Sequence, residues 1–371
     1  MNFDPSDTQR MLLESAARVM AAHGTVEHWR RRRAFANGLD TGAWAQFAEL
    51  GWLALMVSEE DGGLGGTMED AAVLMTALGG GLAVEPYVST AILAVHVIGH
   101  GAVGEAREAM LGAIAAGELR VTLAHAELGD RYEVGTTRRT RARVFNGGYT
   151  LNGAKTLALD APSAGRLLVS ATLGESGTLG LFVVDRDAAG LAMDGYSLVD
   201  GSHAADVTFD DVVVPEDGLI AEGAEAIALL EEGIDRATVA LLAQAVGSME
   251  ASLDICTDYM KQRQQFGQPI GKFQALQHMA ADMLVAVHQS RSILYQALAA
   301  LGTAPSERAR AVSAAKIVCG EAMQLVSRTG IQLHGGYGLT DEYAIGLHFR
   351  RLLVLEKSYG DLEYHTRRMG M

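Results

Sequence analysis

The segment Lys261-Gln262-Arg263-Gln264-Gln265-Phe266-Gly267-Gln268-Pro269-Ile270-Gly271-Lys272-Phe273-Gln274 sets a guanidinium just ahead of an aromatic ring, at a turn marked by Gly267 and Pro269. An arginine there can grip a phosphate through two parallel N–H groups, beside a ring able to stack on a planar base. Taken alone, the segment reads more simply as an inter-helix turn whose cation complements a helix dipole. A second segment, Gln332-Leu333-His334-Gly335-Gly336-Tyr337-Gly338, offers an amide and a run of backbone without side chains, which lets a ligand approach N–H groups closely. Its plainer reading is a helix ending in a tight turn. Other candidates carry less. Gly62–Gly66 lacks the Lys-Ser/Thr of a phosphate loop and reads as a flexible connection, and Gly79-Gly80-Gly81 is unspecific. His278 and His334 have no partner at ligand spacing, so no metal is expected. The stretch from Met279 to Met283 reads as core filler.

The elements that must position these residues follow from composition and period. The chain has 371 residues, 49% hydrophobic and 20% charged, as a packed globule requires. Its net charge of −15 argues against a nucleic-acid partner. Two cysteines, Cys256 and Cys319, leave no disulfide framework and suit a reducing cytoplasm. The N-terminus lacks a signal-like run, and no uninterrupted apolar stretch suggests a membrane span. Met11, Leu12, Ala16, Val19 and Met20 recur at helical spacing, with Asp4 or Ser6 as the cap. Short strand-like runs come next, among them 121–125, 141–145, 167–171, 180–184 and 207–209, with turns at Asn146-Gly147-Gly148 and Asn152-Gly153. Long helical segments then return at 224–263, 274–301 and 306–329, punctuated by Gly302, Pro305 and Gly330. The expected fold is α+β: an N-terminal helical domain (1–117), a central antiparallel β-barrel or sandwich (118–222) and a C-terminal four-helix bundle (223–371). The fourth bundle helix is expected to begin near Asp361.

The two clusters in this order, the Leu50-Gly51-Trp52-Leu53 and Glu59-Glu60-Asp61-Gly62-Gly63-Leu64-Gly65 segments, and Phe209-Asp210-Asp211-Val212-Val213-Val214-Pro215 resemble the acyl-CoA dehydrogenase family over nearly the whole chain. The resemblance implies an FAD flavoprotein that converts an acyl-CoA to a 2-enoyl-CoA and passes electrons to an electron-transferring flavoprotein. It implies tetramers with each FAD at a dimer interface. Carried over, Arg263 and Phe266 would contact the pyrophosphate and adenine side of a neighbouring subunit's FAD, with Gln332, Gly335 and Gly336 on the same cofactor.

The departures from the family pattern shape the functional reading. The usual catalytic Glu falls in a segment that is Ser358-Tyr359-Gly360-Asp361 here, so Tyr359 stands in its place, and the family's second base position is Ala237. A phenol, with an ordinary pKa near ~10, is a poor base at neutral pH. The flavin-lining segments correspond to Ala126-Glu127-Leu128, Asp130-Arg131-Tyr132 and Leu157-Ala158-Leu159, all altered. Two readings are open. The chain is a base-lacking subunit of a heteromeric dehydrogenase, similar to the small subunits of pimeloyl-CoA-type or steroid side-chain enzymes. Alternatively it is a self-sufficient homo-oligomer using Glu356, Asp361 or Glu363. A flavin-free scaffold is the third possibility. Arg30-Arg31-Arg32-Arg33 reads as a solvated helix end before a CoA-phosphate site. Arg139, Arg141 and Arg143 read as an exposed strand face.

Overall fold

The first helix begins where its capping chemistry dictates. In the computed structural model, which describes residues 4–32, 35–101, 104–135, 138–174 and 177–370, the Gln9 N–H donates to the Ser6 hydroxyl and the Ser6 N–H donates to the Gln9 side chain. This reciprocal box satisfies N–H groups that a helix start leaves open. Helices α1 (Asp7–His23), α2 (Val26–Arg32), α3 (Thr41–Glu49) and α4 (Met68–Gly80) come first. A π-helical stretch, Val88–Ala94, runs into α5 (Val95–Gly101), and α6 (Gly104–Ala115) closes the first helical region. Strands β1 (Val121–Ala124), β2 (Arg141–Phe145), β3 (Gly148–Leu159), β4 (Arg166–Leu173), β5 (Thr178–Asp185), β6 (Leu191–Ser197), β7 (His203–Val214) and β8 (Leu219–Glu222) make up the middle of the chain. It finishes with α7 (Gly223–Gln262), a small hairpin of β9 (Gln264–Gln265) and β10 (Gln268–Pro269), then α8 (Gln274–Ala300), α9 (Pro305–His334), α10 (Ala344–Lys357) and α11 (Leu362–Arg368). The expected order of helical, β and helical regions is the one that folds.

The sheet is ordered β6-β7-β3-β2-β4-β5-β8, with β1 also paired to β4. Pairings β2–β3, β3–β7, β4–β5, β5–β8 and β6–β7 are antiparallel, as expected. Two pairings differ: β1 and β2 both run parallel to β4, β1 along Arg166–Val169 and β2 at Thr172–Leu173. The sheet is therefore mixed. Its cause is a double reversal, since the β2–β3 hairpin turns the chain back and the 3₁₀ turn Ala161–Ser163 turns it again. Leu151, Leu167, Val169, Phe182, Val207, Phe209 and Val212 form the shared core. Arg141 and Arg143 alternate on the exposed face of β2, as their spacing predicted.

The chain packs into two compact units, each discontinuous in sequence. One holds Met1–Arg31, Met68–Ala83 and Thr238–Met371; the other holds Arg32–Thr67 and Val84–Ala237.

Several local expectations need correction. Gly330 does not end a helix: α9 continues to His334, and a Cβ at Gly330 would come within 2.7 Å of Ile345 Cδ1, so the glycine serves packing against α10. The fourth long C-terminal helix is Ala344–Lys357, whereas the segment after Asp361 forms the short α11. Charged and polar side chains obscure the α10 stripe in sequence, because His348, Arg351 and Glu356 are buried together with Ile345, Leu347, Leu352 and Leu355. Arg32 is not solvated; it is buried in an ion pair with Glu85, while Arg33 lies outside the described residues. The Gly62–Gly66 segment is a tight turn rather than a flexible link, with Gly63, Leu64, Gly65 and Gly66 all donating N–H bonds to residues 54–58. Of the methionines at 279 and 283, Met283 is fully buried and Met279 partly. By length and composition α7 is able to cross a bilayer, but its most apolar stretch is 78% buried within the protein, as the core helix of a bundle is.

A polar cluster lies inside the β unit. The Glu127 carboxylate accepts from Arg139 N at 2.6 Å, Thr140 N at 3.0 Å, Thr140 Oγ1 at 2.8 Å and Lys155 Nζ at 2.7 Å. Lys155 Nζ also donates to the His125 carbonyl and Ser170 Oγ, and Arg138 pairs with Asp130 at 2.8 Å. Burial alone would raise the Glu127 carboxyl, but Lys155 and the surrounding donors outweigh it and hold the group down to about 2. Burial pushes His348, bonded to Ser248 Oγ, down to about 4. Acid should therefore destabilise the fold in two windows. The unfolded His348 binds a proton as pH falls below 6.5 while the folded one resists until about 4, so stability drops by at most about 1.4 kcal/mol per pH unit there. His348→Asn should flatten that part of a urea-midpoint series measured against pH. Glu127→Gln should cost about 3–5 kcal/mol at pH 7, because Lys155 is left buried without its counter-charge. The gap to wild type should close as pH falls from 4.5 towards 2.

Candidate functional site

The end of α7 delivers Arg263 to the mouth of a groove. Arg263 N–H still donates to the Tyr259 carbonyl at 2.8 Å, and the Ile270 N–H donates to the Arg263 carbonyl at 2.8 Å, so the β9–β10 hairpin is tied to the helix end. Phe266 and Gly267 make its reversal with φ of +54° and +81°. This two-residue turn favours positive φ, which glycine adopts freely and a phenylalanine accepts only under constraint. Phe266 is held out at 91% exposure, its ring edge-on to Phe273 with centroids 6.0 Å apart.

The opposite wall is the C-terminus of α9 and the 3₁₀ turn Gly335–Leu339. Together with Tyr259, Arg263, Gln265 and Ile270, the residues from Gln332 to Tyr337 and Thr340 enclose a groove of about 590 Å³. The Arg263 guanidinium lies over the Tyr337 ring, 5.7 Å from its centroid. Among the described residues it forms no ion pair. Gly335, with φ of +59°, and Gly336 are exposed, and a Cβ at either would meet nothing within 4 Å, so this backbone faces open space. Gln332 is exposed on the same wall.

Behind the wall sits His334. Its ring stacks on Tyr259 with centroids 4.3 Å apart, and Nδ1 bonds the Gly330 carbonyl at 2.9 Å. Burial lowers its pKa, so the ring is neutral at pH 7, and its buried Nε2 has no hydrogen-bond partner. A carbonyl only accepts, so Nδ1 carries the hydrogen and Nε2 is a lone pair. A satisfied structural histidine was expected from sequence; the ring is buried and stacked, but its Nε2 is left without a hydrogen-bond partner.

Arg263, Gln332, Gly335 and Gly336 thus share one groove, with Phe266 at the tip of the adjoining hairpin. Sequence reading missed Tyr259, Gln265, Tyr337 and Thr340. Tyr337 sat within the glycine segment, but its role under the guanidinium depends on a contact across 74 residues. Tyr359 is not part of this groove. It lies between α10 and α11 with a left-handed φ of +54°.

The acidic alternatives to a base are otherwise engaged. Glu356 is buried on α10 and faces the charge of Lys316, with Lys357 3.0 Å away. Asp361 caps α11 by accepting from the Tyr364 N–H at 3.0 Å, and Glu363 pairs with Arg367 on the exposed surface. Ala237 is fully buried in α7. Glu127, at a position expected to line flavin and thioester, instead spends both carboxylate oxygens on Lys155, Thr140 and Arg139.

Comparison with known proteins gives the family and the fold. Residues 6–118 match the acyl-CoA dehydrogenase N-terminal domain model, and residues 227–371 match the acyl-CoA dehydrogenase C-terminal domain model. A mitochondrial isovaleryl-CoA dehydrogenase from Solanum tuberosum is 29% identical over 380 residues, covering 98% of this chain and 90% of that protein. The structure of a Tcur3481-Tcur3483 steroid ACAD variant is 29% identical, covers 98% of this chain and 96% of that one, and superposes with a TM-score of 0.87. A glutaryl-CoA dehydrogenase from Mycobacterium smegmatis, solved in complex with FADH2, shares the fold with a TM-score of 0.86 at 21% identity, over 98% of this chain and 94% of that one. With both terminal domains matched in order around the sheet, the chain belongs to the acyl-CoA dehydrogenase family.

Proposed function

We infer that the chain is a subunit of a heteromeric FAD-dependent acyl-CoA dehydrogenase, contributing the pyrophosphate and adenine contacts of an FAD whose catalytic base comes from a partner chain. The observation that carries this reading is the pairing of an Arg263 guanidinium without a carboxylate partner among the described residues, poised over Tyr337 beside bare glycine backbone, with a tyrosine where the family's carboxylate belongs. The groove fits the cofactor chemically. An unpaired guanidinium suits a pyrophosphate, the Gly335 and Gly336 backbone leaves room for close approach, and the exposed Phe266 ring offers a stacking surface. Arg263, Phe266, Gln332, Gly335 and Gly336 would hold it.

FAD, when bound, supplies the acceptor for the hydride leaving the acyl β-carbon. The remaining tasks fall to protein groups. A phenol, with an ordinary pKa near ~10, is a poor base for the α-proton, so the residue at 359 does not replace the family's carboxylate. If the chain's own site is active, the family resemblance implies that the Tyr359 backbone N–H and a flavin ribityl hydroxyl would polarise the thioester oxygen, a task that does not depend on the side chain. The Leu157-Ala158-Leu159 stretch has no hydroxyl to offer a flavin ring, and the Glu127 carboxylate is consumed internally. These features support a chain that completes a partner's site. The partners of this reading are an acyl-CoA, a catalytic dehydrogenase subunit in a heterotetramer, and an electron-transferring flavoprotein as acceptor. A homotetramer is the second reading. The setting is a reducing cytoplasm, which suits the free and buried thiols of Cys256 and Cys319.

Co-expression tests the assignment. The chain purified alone should carry little flavin and oxidise no acyl-CoA, and it should gain both a flavin spectrum and turnover when produced with a Glu-bearing dehydrogenase chain. Flavin and turnover from the single chain would establish the self-sufficient enzyme instead, and no flavin in either preparation would leave a scaffold. In the flavin-bearing assembly, Arg263→Gln should weaken FAD retention by about ten-fold or more, read by flavin content after dialysis.

A further inference from the structure

Tyr359 occupies a backbone conformation that an aromatic residue does not choose. Its φ of +54° crowds the side chain against its own backbone, and such a residue persists only where its surroundings overrule the local preference. The next residue, Gly360, has φ of +116°, and a Cβ there would collide with the His365 ring and with Tyr364. The Asp361 cap does not explain the conformation, since it serves only the helix after it.

The restraint comes from Lys316 of α9 and from His365 of α11, itself held by Ser313 of α9. Lys316, 1% exposed, sends its ammonium to the C-terminus of α10, donating to the Leu355 carbonyl at 2.8 Å and the Ser358 carbonyl at 2.7 Å. Carbonyls at a helix end have no intrahelical donor, so a buried amine that donates to them is a natural partner; burial pushes Lys316 down to about 7, and it donates whether charged or neutral. One turn earlier on the same face of α9, Ser313 Oγ lies 3.1 Å from His365 Nδ1, and His365 Nε2 lies 3.1 Å from the Tyr359 carbonyl. The carbonyl accepts only, so Nε2–H donates and Nδ1 accepts from the serine. Burial pushes His365 down to about 3, so this neutral tautomer is the form present at working pH. Consecutive carbonyls, of Ser358 and Tyr359, are thus each pinned by a different buried donor.

We propose that Lys316 and His365 are positioning residues that clamp the 358–361 loop, forcing residue 359 into its left-handed conformation so that its N–H and side chain face the acyl thioester. The proposal rests on the functional reading that places Tyr359 at the thioester. Neither residue is catalytic; each acts through the loop. The clamp holds backbone carbonyls and is indifferent to the side chain at 359.

The test uses the full chain, in the flavin-bearing assembly, with His365→Leu, His365→Gln and Lys316→Met. Amide hydrogen exchange is followed by mass spectrometry across 355–362, with peptides from α1 and α4 as internal reference, and affinity for octanoyl-CoA is measured by calorimetry. His365→Leu and Lys316→Met should raise exchange in the loop by about ten-fold and weaken octanoyl-CoA by a similar factor, with the reference peptides unchanged. His365→Gln, whose amide can still donate to the Tyr359 carbonyl, should restore most of both. Unchanged loop exchange, unchanged affinity, or a glutamine variant as impaired as the leucine one overturns the clamp while leaving the function reading intact. A wild-type assembly that does not bind octanoyl-CoA removes the thioester site itself, and the clamp's purpose with it. Should Lys316→Met fail to fold, the two His365 variants decide the question alone.

Discussion

Arg263 forms no ion pair among the described residues, in a chain of net charge −15 with 45 acidic side chains. Arg263 is kept that way by geometry: a helix end aims it, a hairpin anchored to its carbonyl holds the backbone, and the Tyr337 face supports the charge. An acidic protein that binds an anionic cofactor must concentrate its positive potential locally, since its overall field repels the ligand. Under the proposed function, the groove would do this. Bare backbone at Gly335 and Gly336 removes steric obstacles, and aromatic rings behind the wall supply stiffness without adding charge.

The same economy runs through the buried polar groups. Glu127 with Lys155, and Lys316 with the end of α10, place charges deep in the two units and satisfy them with carbonyls, hydroxyls and amides. Each would be costly alone, because removing a charge from water is repaid only by a full set of partners. The β-unit cluster stiffens the loop 126–133, where a functional lining was expected from sequence. The α9 cluster fixes the loop that carries Tyr359. In both clusters the buried charge or donor is spent on holding backbone in place.

Much of the architecture was legible because hydrophobic period is a local signal. The Ser6 cap, the strand runs and the long C-terminal helices all appear where their residue types place them. Misreadings arose where a distant contact changed a residue's meaning. Gly330 looked like a stop but fits beneath Ile345. The α10 stripe was hidden by buried His348, Arg351 and Glu356, which read as surface residues until partners were in place. Arg32, one of four consecutive arginines, found Glu85 and left the surface. Parallel pairing of β1 and β2 with β4 has no local signature at all, since strand direction depends on what the intervening chain does.

The sequence by itself determined the order of helical and β regions, the residues able to meet a phosphate and a planar ring, and the absence of a carboxylate at position 359, because each depends only on residue type and spacing. Tertiary structure alone decided that Arg263 escapes every carboxylate among the described residues, that Glu127 is spent on Lys155, and that two donors from outside the loop reach the carbonyls of Ser358 and Tyr359. The physical reason is the same in each case. Whether a charged or polar group is available for chemistry depends on which partners reach it in space, and those partners come from segments far away along the chain.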